Sequence, residues 1–112
     1  MEDIKRLTQH MNNGKVEYVM CAANWINDGK DYHYQPYNID KGIVFCGWRH
    51  PCIFHQYGNN AYWISFRETE MQGFLTTKNR FLTRDEALEL VKTNGQLKGN
   101  IIGGVLTSED LW

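Results

Sequence analysis

Thr83-Arg84-Asp85-Glu86-Ala87-Leu88-Glu89-Leu90-Val91-Lys92-Thr93-Asn94-Gly95 carries more signals for one conformation than any other stretch of this 112-residue chain. Thr83 is followed three residues on by Glu86, the spacing of a capping box, in which each side chain satisfies an exposed backbone N–H at a helix start. Ala87, Leu88, Leu90 and Val91 fall on one apolar face, and Asn94-Gly95 supplies a C-terminal stop. Asp85 and Glu86 at the start and Lys92 near the end also suit the helix dipole. A helix over 84–94 is therefore predicted.

Upstream, the pattern changes to strands and turns. Residues 16–26 read as a central strand, with Val19, Cys21, Ala23 and Trp25 on one face and Tyr18, Met20, Ala22 and Ile26 on the other. Both faces are largely apolar, which predicts cover on both sides. Asn27-Asp28-Gly29 is a hairpin-type turn signal. Residues 31–40, with Tyr32, Tyr34 and Tyr37, read as an aromatic-rich loop or irregular strand. Ile43-Val44-Phe45-Cys46 is a short apolar run of the buried-strand kind. Pro51 suits the first turn of a helix over 51–57, closed by Gly58-Asn59-Asn60. Residues 61–66 read as a further strand or an aromatic connection, and Thr76 to Asn79 as a turn between two short strands. Ser108-Glu109-Asp110-Leu111-Trp112 looks like a capped turn whose Leu and Trp tuck back. At the other end, Ile4, Leu7 and Met11 have helical spacing and Asn13-Gly14 stops it. Such a tail is either a helical extension over 1–14 or a segment that orders on a partner. The whole predicts an α+β fold, a single small domain over 15–112 with a mostly antiparallel sheet packed by two or three helices.

Composition bounds the function. Hydrophobic residues make up 42% of the chain, enough for a packed core and unlike a disordered segment. A formal net charge of −1 lacks the basic excess of a protein that grips DNA or RNA through many phosphates, which argues against general nucleic-acid binding. A small phosphorylated ligand needs only two or three arginines. No stretch reads as a signal peptide or approaches the ~20 apolar residues of a membrane span. Cys21, Cys46 and Cys52 are expected as reduced thiols in a cytoplasm.

Reactive groups are densest in Cys46-Gly47-Trp48-Arg49-His50-Pro51-Cys52-Ile53-Phe54-His55, where a strand passes into a helix start. Backbone N–H groups there favour an anion, Arg49 adds a forked donor, and His50 a group that titrates near neutrality. Alternatively, Arg49 pairs with Glu70 or Asp110 and His50 caps local backbone. Cys46, His50, Cys52 and His55 are all zinc donors, but their spacing matches no common finger or ribbon, and no metal is expected. Cys52 activated by His50 or His55 is a possible nucleophile, though neither an orienting group nor an oxyanion site has a signature. A second cluster runs from Gln72 to Arg84. Phe74 and Phe81 can stack on a base while Arg80 and Arg84 meet its phosphates. The plainer alternative puts the phenylalanines in the core and leaves the arginines solvated or paired with Asp85 and Glu89.

The order Gly47-x-Arg49-His50, Gln72-Gly73-Phe74, Arg80-Phe81, Arg84-x-Glu86-Ala87, Gly95-Gln96 and Ser108 to Trp112 resembles a family of small tailed-phage proteins. It also resembles the first class of Thoeris anti-defence proteins, nucleotide sponges that sequester cyclic ADP-ribose-type immune signals and in some cases cyclic oligonucleotides. The resemblance spans residues 18–112; the N-terminal extension and an apparent insertion over 100–105 depart from it. It implies a homo-oligomer, a dimer or an assembly of dimers, that binds a nucleotide in the host cytoplasm without cleaving it or using a cofactor. The ligand-binding candidates are Arg49, His50, Phe74, Arg80, Phe81 and Arg84. The competing expectations are a hydrolase using His50 as general acid and an inhibitor of a host defence enzyme acting through exposed aromatics.

Overall fold

A computed structural model describes residues 16–97 and 105–111. The expected extension over 1–14, all but the last residue of the insertion over 100–105, and Trp112 lie outside the described residues. Four strands form one antiparallel sheet: β1 (Val19–Ile26), β2 (Ile43–Gly47), β3 (Met71–Thr76) and β4 (Phe81–Thr83), in the order β2-β1-β3-β4. Among the described residues three helices accompany it: α1 (His50–Tyr57), a single turn α2 (Ala61–Ile64) and α3 (Arg84–Asn94), with 3-10 turns at Arg67–Thr69 and Ser108–Asp110. The fold is α+β, as expected. Among the described residues, no helix is long and apolar enough to cross a membrane.

Residues directly opposite in an antiparallel pair share a face. Ala22 faces Phe74 and Phe74 faces Leu82, so these three point to one side of the sheet. Helix α3 packs there, with Ala87 and Val91 joining Val19, Phe74, Leu82, Leu106 and Leu111 in one apolar cluster. Helix α1 covers the other half of the same face, with Ile53 and Tyr57 against Ala22 and Ile26. The opposite face carries Cys21, Ala23, Trp25, Cys46, Leu75 and Phe81. The connection over 27–42 folds across part of it: Trp25 Nε1 donates to Lys41 O at 2.8 Å, and the Trp25 and Phe81 rings meet edge-on at 6.1 Å.

Four expectations need correction. Asn27-Asp28-Gly29 does not close a tight hairpin, because it opens the long connection that returns to the sheet only at Ile43. Residues 61–64 are helical rather than extended, because the Asn60 carboxamide accepts from the backbone N–H of Tyr62 and Trp63 and caps the turn. A register shift between Val19 and Cys21 moves Val19 to the face of Phe74 instead of the face of Cys21. Cys46, expected in a buried strand, is exposed, as is Cys52 on α1.

Side-chain carboxamides meet the strand backbones at several points. Gln35 Oε1 accepts from Val44 N and Gln56 Nε2 donates to Cys46 O, both on β2. On β4, Asn38 accepts from Phe81 N at 2.9 Å and donates to Phe81 O at 2.7 Å. Gln96 does the same for Val19, ahead of Ala22, where the pairing of β1 with β2 begins.

Candidate functional site

Between the two apolar clusters, the helix-covered face of the sheet carries a polar seam. Asn24 on β1 and Gln72 on β3 face each other in the ladder, so both side chains point towards the helices. Asn24 Nδ2 donates to the Tyr57 hydroxyl at 2.9 Å, and that hydroxyl donates to Glu70 Oε2 at 2.6 Å. Gln72 Nε2 donates to Glu70 Oε1, while Gln72 Oε1 accepts from Arg84 Nη2 at 2.7 Å. Burial raises the Tyr57 pKa, with the bond to Glu70 acting in the same direction. Asn24 Oδ1 is buried and has no partner among the described residues.

The two helix starts both reach the 106–108 segment, through Arg49 to Ser108 and Arg84 to the Leu106 carbonyl. Arg49 is the N-cap residue of α1, and Arg84 is the first residue of α3. His50, at the first position of α1, is 5% exposed and donates Nε2–H to Gly73 O at 2.8 Å. The carbonyl can only accept, so Nε2 carries the proton. Its ring stands edge-on to Phe74 at 5.1 Å. Burial pushes the His50 pKa down, and the nearby Arg84 charge adds to the effect. Arg49 Nη1 reaches Ser108 Oγ at 3.4 Å.

Arg84 is the unusual member. It is half-buried, donates to Leu106 O at 2.6 Å and to Gln72, and has no carboxylate partner among the described residues. Burial lowers its pKa. A desolvated cation is ordinarily paired with an anion. The two neutral carbonyl partners take two of the five N–H groups of the guanidinium, and no described residue supplies a countercharge.

The six residues singled out from sequence do not form one cluster. Arg49, His50, Phe74 and Arg84 lie on the helix-covered face. Arg80 sits at the far end of β3 and β4, where its Nε and Nη2 hold Glu17 at 2.8 and 2.6 Å. Phe81 is buried on the opposite face, under the 27–42 connection. Phe74 is 0% exposed, with the His50 ring against it. Neither phenylalanine presents an open ring face. In place of Asp85 and Glu89, Arg80 holds Glu17, and Arg84 holds Gln72 and the Leu106 carbonyl; Arg49 reaches Ser108.

The four zinc donors do not converge. His50 points into the core, Cys46 lies on the other face of the sheet, and no group of three His, Cys, Asp or Glu is arranged to hold a metal among the described residues.

Sequence reasoning gave no site role to Tyr57 or Asn24, and it named Glu70 only as a partner for Arg49 and Trp48 only within a quoted stretch. Gln72 and Ser108 lay in quoted motifs without being assigned a contact. It also passed over a small cleft of about 90 Å³ between α1 and α2, lined by Phe54, Tyr57, Gly58, Trp63, Ile64 and Arg67.

No curated protein and no solved structure matches the chain. A family model does match, over residues 18–112, which takes in every described element from β1 to the closing 3-10 turn. The chain therefore belongs to the phage T4 y16D protein family.

Proposed function

We propose that this phage protein binds a small phosphorylated signal, a cyclic nucleotide of the cyclic ADP-ribose or cyclic oligonucleotide type, and sequesters it intact in the host cytoplasm as an anti-defence protein. The observation that carries the reading is the Arg84 guanidinium, half-buried and bonded to two neutral carbonyl groups, with no carboxylate partner among the described residues. A phosphate oxygen at this position supplies the missing charge and a stronger, charge-assisted bond. Arg49, the N-cap residue of α1, is the second guanidinium of the reading, its Nη1 3.4 Å from Ser108 Oγ, two residues from the Leu106 carbonyl that Arg84 holds. Trp48, 64% exposed and adjacent to Arg49, supplies an aromatic surface for a base.

The protonation of His50 supports binding over hydrolysis. A general acid needs a transferable proton directed at the substrate. His50 instead gives its Nε2 proton to a core carbonyl, and burial disfavours its charged form. The reading includes a homo-oligomer, a dimer or an assembly of dimers, to be measured by light scattering with and without ligand.

The test titrates a panel of cyclic nucleotides into wild type, Arg84→Ala and Arg84→Lys, with melting curves on the same samples. Truncation of Arg84 is expected to weaken binding about tenfold to a hundredfold, since bonds to charged groups contribute roughly 1.5–3 kcal/mol. Lysine restores part of this, because it keeps the charge and loses the fork. Mass spectrometry of heat-released ligand is expected to return it unchanged. New products would establish the hydrolase instead, and a panel without any binder would leave inhibition of a host enzyme as the better account.

A further inference from the structure

Tyr57 turns its hydroxyl into the polar seam and leaves its ring on the cleft between α1 and α2, which the nucleotide reading does not use. Phe54 and Trp63 complete the aromatic walls, and the exposed side chains of Ile64 and Arg67 stand at the edge. We propose that this cleft is a second binding site, for a small aromatic carboxylate: one flat ring enters against Tyr57 and Trp63, and the carboxylate meets the Arg67 guanidinium.

A cleft holds a small molecule best when its walls are set before the ligand arrives, since ordering side chains on binding costs affinity. Both rings are held from behind. The Tyr57 hydroxyl is fixed by Asn24 at 2.9 Å and Glu70 at 2.6 Å, and the Phe45 ring lies 4.7 Å from the Tyr57 ring. The same Phe45 meets Trp63 edge-on at 5.3 Å, Tyr62 meets it at 4.9 Å, and Asn60 caps the turn that carries both Tyr62 and Trp63. Neither wall is free to swing in and fill the space.

Size and charge select the ligand. An enclosed apolar cavity of about 150 Å³ accommodates benzene. At about 90 Å³ and open at its edge, this cleft takes one six-membered ring in part and is too small for a purine. The lining holds no acidic residue, and among the described residues the Arg67 side chain forms no ion pair. Glu70, three positions on, is engaged by Tyr57 and Gln72. A planar guanidinium grips a carboxylate through two parallel bonds, so a ring bearing that group matches both parts of the cleft.

The experiment titrates benzoate into the ¹⁵N-labelled full chain and follows the Trp63 indole and Gly58 amide resonances by NMR. Benzyl alcohol, the same ring with a neutral substituent, is the control. Saturable shifts at both groups are expected, with a Kd on the order of 1 mM, ordinary for a ligand of about nine non-hydrogen atoms. Arg67→Ala, at an exposed position, is expected to keep the wild-type melting curve and weaken benzoate about threefold to tenfold, with benzyl alcohol unaffected and Arg67→Lys in between. Benzoate shifts are expected to persist in Arg84→Ala, and cyclic-nucleotide affinity in Arg67→Ala, so this site and the nucleotide reading stand or fall separately. Absence of a saturable shift, shifts lost in Arg84→Ala, or benzyl alcohol binding as tightly as benzoate would overturn the assignment.

Discussion

Replacing Arg80 with alanine removes two of the three side-chain hydrogen bonds described for the Glu17 carboxylate, leaving Thr76 Oγ1 at 2.5 Å. Glu17 is 8% exposed, so its charge cannot recover full hydration once Arg80 is gone. Bonds to charged groups contribute roughly 1.5–3 kcal/mol each, and Arg80 is 35% exposed, so solvent screening discounts the pair. We expect a loss of about 2–3 kcal/mol at pH 7, equivalent to roughly 10–20 °C in Tm for a domain of this size. The pH dependence has a definite sign. Hydrogen bonding to Arg80 is the chief cause holding the Glu17 carboxyl below its ordinary value of 4.5. A carboxyl with a depressed folded pKa contributes its stability above the unfolded value and loses it as pH falls through the folded one. Urea melts of wild type and Arg80→Ala should therefore converge progressively as pH falls below about 4.5. A loss under about 0.5 kcal/mol at pH 7, or a gap that stays constant into acid, would show that the pair behaves as an ordinary surface ion pair and refute the reasoning.

Two further substitutions probe the frame that holds the seam. Thr83→Ala removes the oxygen that accepts from Glu86 N and should cost about 0.5–2 kcal/mol in a denaturant melt, with the helix otherwise intact by circular dichroism. Gly73→Ala would place a Cβ 1.9 Å from Leu82 O and 3.0 Å from Phe81 Cζ, so β4 must shift; a loss of about 3 kcal/mol or more is expected, and near-wild-type stability would mean the two strands separate easily.

The helix at 84–94 was legible because its determinants are local: Thr83 reaches Glu86, and Gly95 adopts a positive φ of 79° directly after the last turn. The run Ile43 to Cys46 was likewise legible as a strand, but its burial was not. An apolar run implies cover on both faces, whereas α1 covers only one side of β2 and leaves Cys46 in the open. Tyr62, Trp63 and Ile64 have the composition of a strand, and a single Asn60 cap outweighs that propensity. At the site, helix-start arithmetic identified Arg49, His50 and Arg84. Their partners depend on tertiary placement: Arg84 meets Leu106 and Gln72, and Arg80 meets Glu17 from 63 positions away. No spacing rule reaches that far. Core placement of Phe74 and Phe81 was the plainer alternative in the sequence, and it is the one the fold adopts; what covers each ring, His50 over Phe74 and Trp25 against Phe81, depends on tertiary placement.

The carboxamides that meet β2 and β4 have a consequence for how copies of this chain can associate. A side-chain amide presents the same donor and acceptor as a peptide unit, so Asn38 behaves towards Phe81 like one residue of a neighbouring strand and then ends in a methylene. Gln35 and Gln56 do the same more sparingly along β2. A second molecule adding its own strand would first have to displace these groups, and growth into an extended sheet is resisted at both borders. Amides also do not ionise, so this protection persists in acid, where the Glu17 carboxylate is neutralised and the start of β1 loosens. Assembly of this chain is thereby directed away from backbone pairing and towards side-chain surfaces.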